Sequence, residues 1–189
     1  MNGCCDRYHP LQILADLQTI QEKLGRLEGV RLTYAGVHNN VCNSLIAGGI
    51  KVGMEITVVS PETNPAAADE ELWAQARNAG TYQVCDNLRR GVESCDVVYT
   101  DTWLDMEYFN DPSYADEKAA RTELMLPYQI NKELMKDSRA KIMHDMPIHP
   151  GHEMAEDMVE CEQSIIYDQA ENRLDAQKAV MLHLLHELK

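Results

Sequence analysis

The sequence has few basic residues and no long apolar segment. Among its 189 residues, 17 are Lys or Arg and 31 are Asp or Glu, which gives a formal net charge of −14. A chain this acidic is not expected to bind nucleic acid, which needs a basic surface, or an anionic membrane. No apolar run reaches about 18 residues, so no membrane-spanning helix is expected.

The cysteines and glycines also lack the arrangements of common redox and cofactor sites. None of the six cysteines forms a Cys-x-x-Cys pair, and the first ten residues contain no apolar signal-peptide core. We therefore expect reduced, mostly buried thiols in a cytoplasmic protein. The turn after the first predicted strand lacks Gly-x-Gly-x-x-Gly, which disfavours a dinucleotide-dependent oxidoreductase. No cofactor is expected.

The segment from Val30 to Ser60 predicts the unit around which the fold is organised. A β-prone run ends at Gly36, a helix follows with Asn39 or Asn40 as its cap, and a second strand completes a βαβ unit. Further strands are predicted at 81–85, 96–100 and 140–144, a short extended piece at 164–167, and helices at 10–25, 66–80, 128–136 and 171–189. This alternation predicts one α/β domain in three layers, with a mostly parallel sheet of about five strands and helices on both faces.

The last predicted helix has an amphipathic pattern. The residues expected to face inward are Ala176, Ala179, Val180, Met181, Leu184 and Leu185.

Candidate site residues follow from the predicted topology. Ligands of open α/β sheets bind at the carboxyl ends of the strands, which places Gly36, His38, Asn39 and Asn40 where a ligand is expected. The alternative is that Asn39 and Asn40 only cap the helix. At the start of the first helix, His9 and Gln12 could donate hydrogen bonds to an anion, or His9 could simply precede the helix.

Two later segments carry chemistry-bearing side chains. The stretch 101–112 contains four carboxylates and three aromatic rings, and a loop of this kind at a strand end is more often functional than not. His144, His149 and His152 follow the fifth strand, but their spacing fits no standard zinc pattern. No metal site is expected there.

Several motifs, in order along nearly the whole chain, resemble those of the ornithine and aspartate carbamoyltransferases. They are His9-Pro10-x-Gln12, Gly36-x-x-Asn39-Asn40-x-x-Asn43-Ser44-Leu45, Asp101-Thr-Trp-x-x-Met106, Pro127-Tyr128-Gln129-x-Asn131, His144-x-x-Pro147, Ala170-Glu171-Asn172-Arg173 and Gln177-Lys178-Ala179. The resemblance implies a Rossmann-like domain and transfer of a carbamoyl group from carbamoyl phosphate to an amine, with release of phosphate.

The resemblance also implies roles for individual residues. Carbamoyl phosphate would be bound by His9, Gln12 and Arg173; the amino acid or amine by Asn39 or Asn40, Asp101, Asp105, Met106 and Met146; and the catalytic group would comprise His144, Asp145 and Arg173. The chain departs from the family at two motifs, where Ser-Met-Gly becomes Asp105-Met106-Glu107 and His-Cys-Leu-Pro becomes His144-Asp145-Met146-Pro147. We therefore expect an altered amine pocket, with ornithine itself in doubt.

The family's Ser-Thr-Arg-Thr-Arg loop, which grips carbamoyl phosphate, does not occur in this sequence. The chain is therefore interpreted as a single amino-acid-binding domain over 1–189, with segments 1–28 and 170–189 as helices that bridge to a first domain. We expect it to be inactive without such a domain, supplied in cis or as a separate chain, and to self-associate, most simply as a dimer. The alternative is a non-catalytic amine- or amino-acid-binding module derived from the same fold.

Overall fold

A computed structural model describes residues 2–104 and 109–187. Its centre is a five-stranded sheet in which every pairing is parallel. The strands are β1 (Arg31–Ala35), β2 (Glu55–Val59), β3 (Tyr82–Val84), β4 (Val97–Thr100) and β5 (Lys141–His144), in the spatial order β3-β2-β1-β4-β5. This arrangement confirms the predicted Rossmann-like α/β fold.

Helices cover both faces of the sheet. They are α1 (Pro10–Leu24), α2 (Asn40–Val52), α3 (Glu70–Asn78), α4 (Leu88–Val92), α5 (Ala115–Met125), α6 (Lys132–Met135) and α7 (Ile166–Glu187). One core lies between the sheet and α1, α2 and α3, and includes Leu32, Leu45 and Trp73. A second core lies on the opposite face under α4 and α6, and includes Val98 and Ile142. The predicted three layers are therefore present.

Polar caps explain where helix boundaries differ from the sequence-based predictions. The helix expected at 66–80 is a short 3-10 turn followed by α3, because the side chain of Asp69 accepts a hydrogen bond from the amide of Leu72 and starts a new helix. The helix expected at 128–136 shortens to α6, which Asn131 caps in the same way. Each cap satisfies amides that have no partner within the helix.

The segment 164–167 is not the predicted extended piece. Ser164 forms one isolated bridge with Ile142, and α7 begins at Ile166, five residues before the expected start at 171. The early start gives α7 the length to pack along α1, where Asn172 donates to Thr19 at 2.9 Å and Lys23 pairs with Asp168 at 2.6 Å.

The C-terminal half of α7 does not bury the residues expected to face inward. Ala176 is buried and Val180 half-buried, but Ala179, Met181, Leu184 and Leu185 are exposed, the last to 60%. Leu14 on α1 is exposed as well, beside this part of α7. The amphipathic pattern was read correctly as a helix, but the described part of the chain contains too little surface to cover its apolar side.

The expectation of mostly buried cysteines is wrong, because only one of the six is buried. Cys42 is buried, three others are half-buried, and Cys4 and Cys5 are exposed. In the described part of the chain, no helix is long and apolar enough to cross a membrane.

Candidate functional site

The candidate site lies at the carboxyl edge of the sheet, where the strand order changes direction. The chain leaves β1 towards β2 on one side, whereas β4 and β5 lie on the other side of β1. Loops after β1 and β4 therefore diverge at this point and leave a crevice between them, which is the usual ligand position in such folds.

Asn39 joins the turn after β1 to the end of β4. Its Oδ1 accepts from the amides of Val41 and Cys42 and caps α2, while its Nδ2 donates to Asp101 Oδ2 at 2.6 Å. Asn40 instead donates to the carbonyl of Cys5 at 2.9 Å. Of the two asparagines, Asn39 is therefore the one beside Asp101, and it both caps α2 and contacts the candidate site.

Two other residues of this turn do not reach the site. His38 is buried, with its Nε2 at 2.8 Å from Asn43 Oδ1 and its ring against Trp73. Gly36 has a φ of 152°, which suits glycine, and it turns the chain towards α2. His38 therefore packs in the interior beside α2, and Gly36 allows the turn after β1.

The main electrostatic feature of the site is a pair of carboxyl groups, Asp101 and Asp145. Their oxygen atoms lie within 4.8 Å of each other. Burial raises the pKa of Asp145 well above its usual value, and the charge and hydrogen bond of Asp101 raise it further, while Arg173 opposes the shift. Asp101 accepts hydrogen bonds from the side chain of Asn39 at 2.6 Å and from the amide of Thr102 at 2.7 Å, which fix the orientation of its carboxyl group.

The turn after β5 presents Asp145 to this edge. The chain bends at Met146, whose φ is 59°, and the Met146–Pro147 peptide is cis. The Arg173 guanidinium on α7 donates from Nη1 to the carbonyl of Asp145 at 2.9 Å. A cation is thereby held against the turn.

His144 is completely buried, and both of its ring nitrogens are engaged by the protein. Nδ1 accepts from the amide of Met146 at 2.9 Å, and Nε2 lies 3.1 Å from Glu153 Oε1. The structure therefore places the predicted catalytic histidine behind the turn, where it supports the backbone. Sequence analysis missed Glu153, since no motif in the chain marks it.

Asp101, His144 and Asp145 also form the one group of three potential metal ligands found in the described residues. The lone pair of His144 Nδ1 is already used by the Met146 amide. A metal ion would have to break that bond, so this donor set does not fit a metal.

The start of α1 contributes His9, which is close enough to Arg173 to feel its charge, and Gln12. His9 donates its backbone amide to Ser44 Oγ at 2.7 Å, and its pKa is lowered by burial and by the charge of Arg173. Gln12 donates to Asp16 Oδ1 at 2.8 Å. Among the described residues, His9 Nδ1 and Gln12 Oε1 are buried polar atoms without a hydrogen-bond partner.

Asp16 is a second residue that sequence analysis missed. It is fully buried between α1 and α7, where it accepts from Gln12, from Gln169 Nε2 at 2.7 Å and from the Tyr99 hydroxyl at 3.1 Å. Burial raises its pKa to about 7, although these hydrogen bonds oppose the shift. Gln169 also accepts from the amide of His144, so the network connects α1 to the β5 turn.

Asp105 and Met106, predicted to bind the amine, lie outside the described residues. Met146 is half-buried within the β5 turn. The ring of Phe109 stacks on that of His149 with 3.4 Å between their centroids.

Together these features define a Rossmann-like domain with a candidate ligand site at the carboxyl edge of its parallel sheet. The family profile of the aspartate/ornithine carbamoyltransferase Asp/Orn-binding domain matches residues 28–184. The chain therefore belongs to the aspartate/ornithine carbamoyltransferase family, in the part that forms this second domain.

Relatives support the assignment. The ornithine carbamoyltransferase of Thermococcus kodakarensis is 38% identical over 100% of this chain and 60% of its own length. The solved structure of the Pyrococcus furiosus enzyme superposes with a TM-score of 0.82 at 36% identity, covering 95% of this chain and 57% of that one. For the Giardia lamblia enzyme the TM-score is 0.84 at 29% identity, with 100% and 63% covered. The chain spans about 60% of the length of the curated relatives it matches.

Proposed function

We propose that this chain binds the amine or amino acid substrate of a carbamoyltransferase and supplies part of its carbamoyl phosphate site. The observation that carries the proposal is the Asp101–Asp145 carboxyl pair, held by Asn39 on one side and faced by Arg173 on the other. Family membership gives the reaction class.

The unpartnered atoms of α1 fit carbamoyl phosphate. Gln12 Oε1 is a buried acceptor without a donor among the described residues, and the carbamoyl NH₂ is a donor. His9 is kept neutral by its lowered pKa, so its ring can donate one hydrogen bond to the carbamoyl oxygen without adding charge. Arg173 supplies the cation that a phosphate needs.

The carboxyl pair fits an amine that arrives as an ammonium ion. A cation between Asp101 and Asp145 favours the ionised form of Asp145, so binding would release the proton that Asp145 holds in the free chain. The bound ammonium then has to pass a proton to the ionised Asp145 before its nitrogen attacks the carbamoyl carbon. As the new C–N bond forms, the C–O bond to phosphate breaks and inorganic phosphate leaves. The chain's main contribution is to hold the amine in line with that carbon.

A recess beside the pair fits the remote end of the substrate. A cavity of about 190 Å³ is lined by Asn39, Thr102 and Trp103, and also by Glu62 and Arg121. Arg121 Nη2 lies 3.1 Å from Glu62 Oε1, so the recess contains both signs of charge. This combination supports an α-amino acid over a plain alkyl diamine, in a pocket altered from that of ornithine enzymes by Asp145.

The test of this function is a reconstitution. The purified 189-residue chain with carbamoyl phosphate and ornithine, lysine or diaminobutyrate is expected to form no ureido product, because it lacks the Ser-Thr-Arg-Thr-Arg phosphate loop and preorganised donors of that kind supply most of the rate. Addition of a first domain from a family member is expected to restore product formation with at least one amine.

Colorimetric detection of the ureido product, against a heat-killed control, measures activity of the chain alone and of the chain with an added first domain. Product from the chain alone would contradict the expected inactivity. Amine binding without product, for every first domain tried, would favour the alternative, a non-catalytic binding module. The feature that favours this alternative is the carboxyl group of Asp145, which is unfavourable near a phosphate unless a cation is bound.

The exposed apolar side of α7 leads to a proposal about assembly. We propose that segments 1–28 and 170–189 bridge to a first domain when one is present, and that the chain alone self-associates through α1 and α7. Contiguous exposed apolar patches usually mark an interface. At about 25 cal/mol per Å² of apolar surface, burying a few leucine side chains would stabilise a dimer by several kcal/mol. We also propose, separately from assembly, that the chain is located in the cytoplasm.

Light scattering on a sizing column checks the assembly. The wild-type chain is expected to elute as a two-fold dimer at micromolar concentration. Met181→Gln combined with Leu185→Gln should give monomers, whereas Leu126→Gln, an equally exposed leucine far from α7 in the sequence, should not. A wild-type monomer would contradict the proposal.

A further inference from the structure

Glu153 is a buried carboxyl side chain with a role that neither the motifs nor the proposed chemistry explains. It is 1% exposed. Its Oε1 accepts from the backbone amide of His149 at 2.6 Å and lies 3.1 Å from His144 Nε2. A buried carboxyl group is unfavourable unless hydrogen-bonded, so its position needs these partners.

The contacts of His144 determine which of its nitrogens carries the proton. Nδ1 accepts from the Met146 amide, so in the neutral ring the hydrogen is on Nε2 and points at Glu153. Without an acceptor at this point, the ring loses the group that selects this tautomer. The Met146 amide would then lose a dependable acceptor in turn.

Glu153 also reaches the opposite wall of the site through His149. The His149 ring stacks on Phe109 at 3.4 Å, and its Nδ1 lies 3.4 Å from the hydroxyl of Thr102, which follows Asp101. One carboxyl group therefore joins the turn after β5 to the loop after β4. These two segments carry Asp145 and Asp101.

We propose that Glu153 is a positioning residue of the amine site, which holds His144 and, through the Met146 amide, the turn that places Asp145 opposite Asp101. The proposal rests on the proposed function only in calling the ligand an amine. The positioning itself is a property of the free chain, so it can be measured without catalysis.

NMR of the free chain tests it. In the wild type, ¹⁵N shifts are expected to show His144 as the Nε2–H tautomer, and the ¹³C titration of the Asp145 carboxyl should have a midpoint far above that of an exposed aspartate. Glu153→Ala is expected to mix the tautomers and to lower the Asp145 midpoint by about one pH unit or more, because the turn loosens and water reaches the carboxyl. Glu153→Gln, whose amide oxygen still accepts from Nε2–H, should keep the tautomer.

Gln163→Ala is the matched control. Gln163 tethers the start of β5 by donating to the carbonyls of Ser138 and Ala140, at 2.8 and 3.1 Å, so its loss should lower stability without moving either signal. If Glu153→Ala does not fold, Glu153→Asp is used instead, because its side chain is one methylene shorter. It should likewise mix the His144 tautomers and lower the Asp145 midpoint.

An unchanged His144 tautomer and an unchanged Asp145 midpoint in folded Glu153→Ala or Glu153→Asp would overturn the positioning role. A wild-type chain that shows the expected signals but binds no amine in a calorimetric panel would leave the positioning role intact and contradict the proposed function. The two failures are therefore distinguishable.

Discussion

Asp145→Asn is expected to weaken binding of the cationic amine about 100-fold at pH 8 and to abolish its pH dependence. In the wild type, the free chain holds a proton on Asp145 because burial and Asp101 raise its pKa, and the bound ammonium displaces that proton. Affinity should therefore rise about tenfold per pH unit below the raised pKa and level off above it. A 100-fold loss of affinity corresponds to about 2.7 kcal/mol of binding free energy. Removing one partner of a buried ion pair typically costs about 3–5 kcal/mol, so a loss of this size is expected.

Isothermal calorimetry in buffers of different ionisation enthalpy measures both affinity and proton release. Asp175→Asn is the control, since it removes the same charge from an exposed position on α7, 3.5 Å from Lys178. Asp145→Cys, which restores the residue of the resembled motif, should shift preference towards ornithine. If neither variant changes binding across a panel of diamines and amino acids, Asp145 is only a loop residue.

Asp16→Asn is expected to make the chain more stable at pH 8 and to flatten its stability between pH 4 and 7. The folded chain raises the pKa of Asp16 from 3.8 to about 7. The folded state therefore keeps a proton that the unfolded state releases, so the wild-type free energy of unfolding falls as pH rises from about 4 to about 7 and is level above. The full shift corresponds to about 4 kcal/mol.

Asparagine fits the same position because it reproduces the protonated acid. Its Oδ1 can accept from Gln12 and Gln169, and its Nδ2 can donate to the Tyr99 hydroxyl. Urea unfolding at several pH values measures the difference in the free energy of unfolding between the wild type and Asp16→Asn. Asp168→Asn, at an exposed ion pair with Lys23, should change stability by less than about 1 kcal/mol. A wild-type curve parallel to that of Asp16→Asn would show that Asp16 is ionised in the folded chain.

Much of the fold could be predicted because its signals are local. The apolar runs of β1 and β4, the Asn39 cap and Pro10 at the start of α1 act within a few residues, and the order of strands and helices then leaves a parallel sheet as the favoured arrangement. The errors in the bounds of α3 and α6 arose because a capping residue inside a helical pattern, Asp69 or Asn131, started a new helix.

The sequence by itself determined the fold class, the family resemblance and the edge of the sheet that holds the candidate site, because these depend on periodicity, caps and motif order. Only the tertiary structure decided that Asp145 faces Asp101, that His144 stands behind the turn with Glu153, and that Asp16 is sealed between α1 and α7. Pairings of this kind join residues up to 153 positions apart, as between Asp16 and Gln169, and burial is set by whatever else packs there. The same reason left Leu185 exposed, since an apolar stripe specifies a helix face but not the surface that covers it.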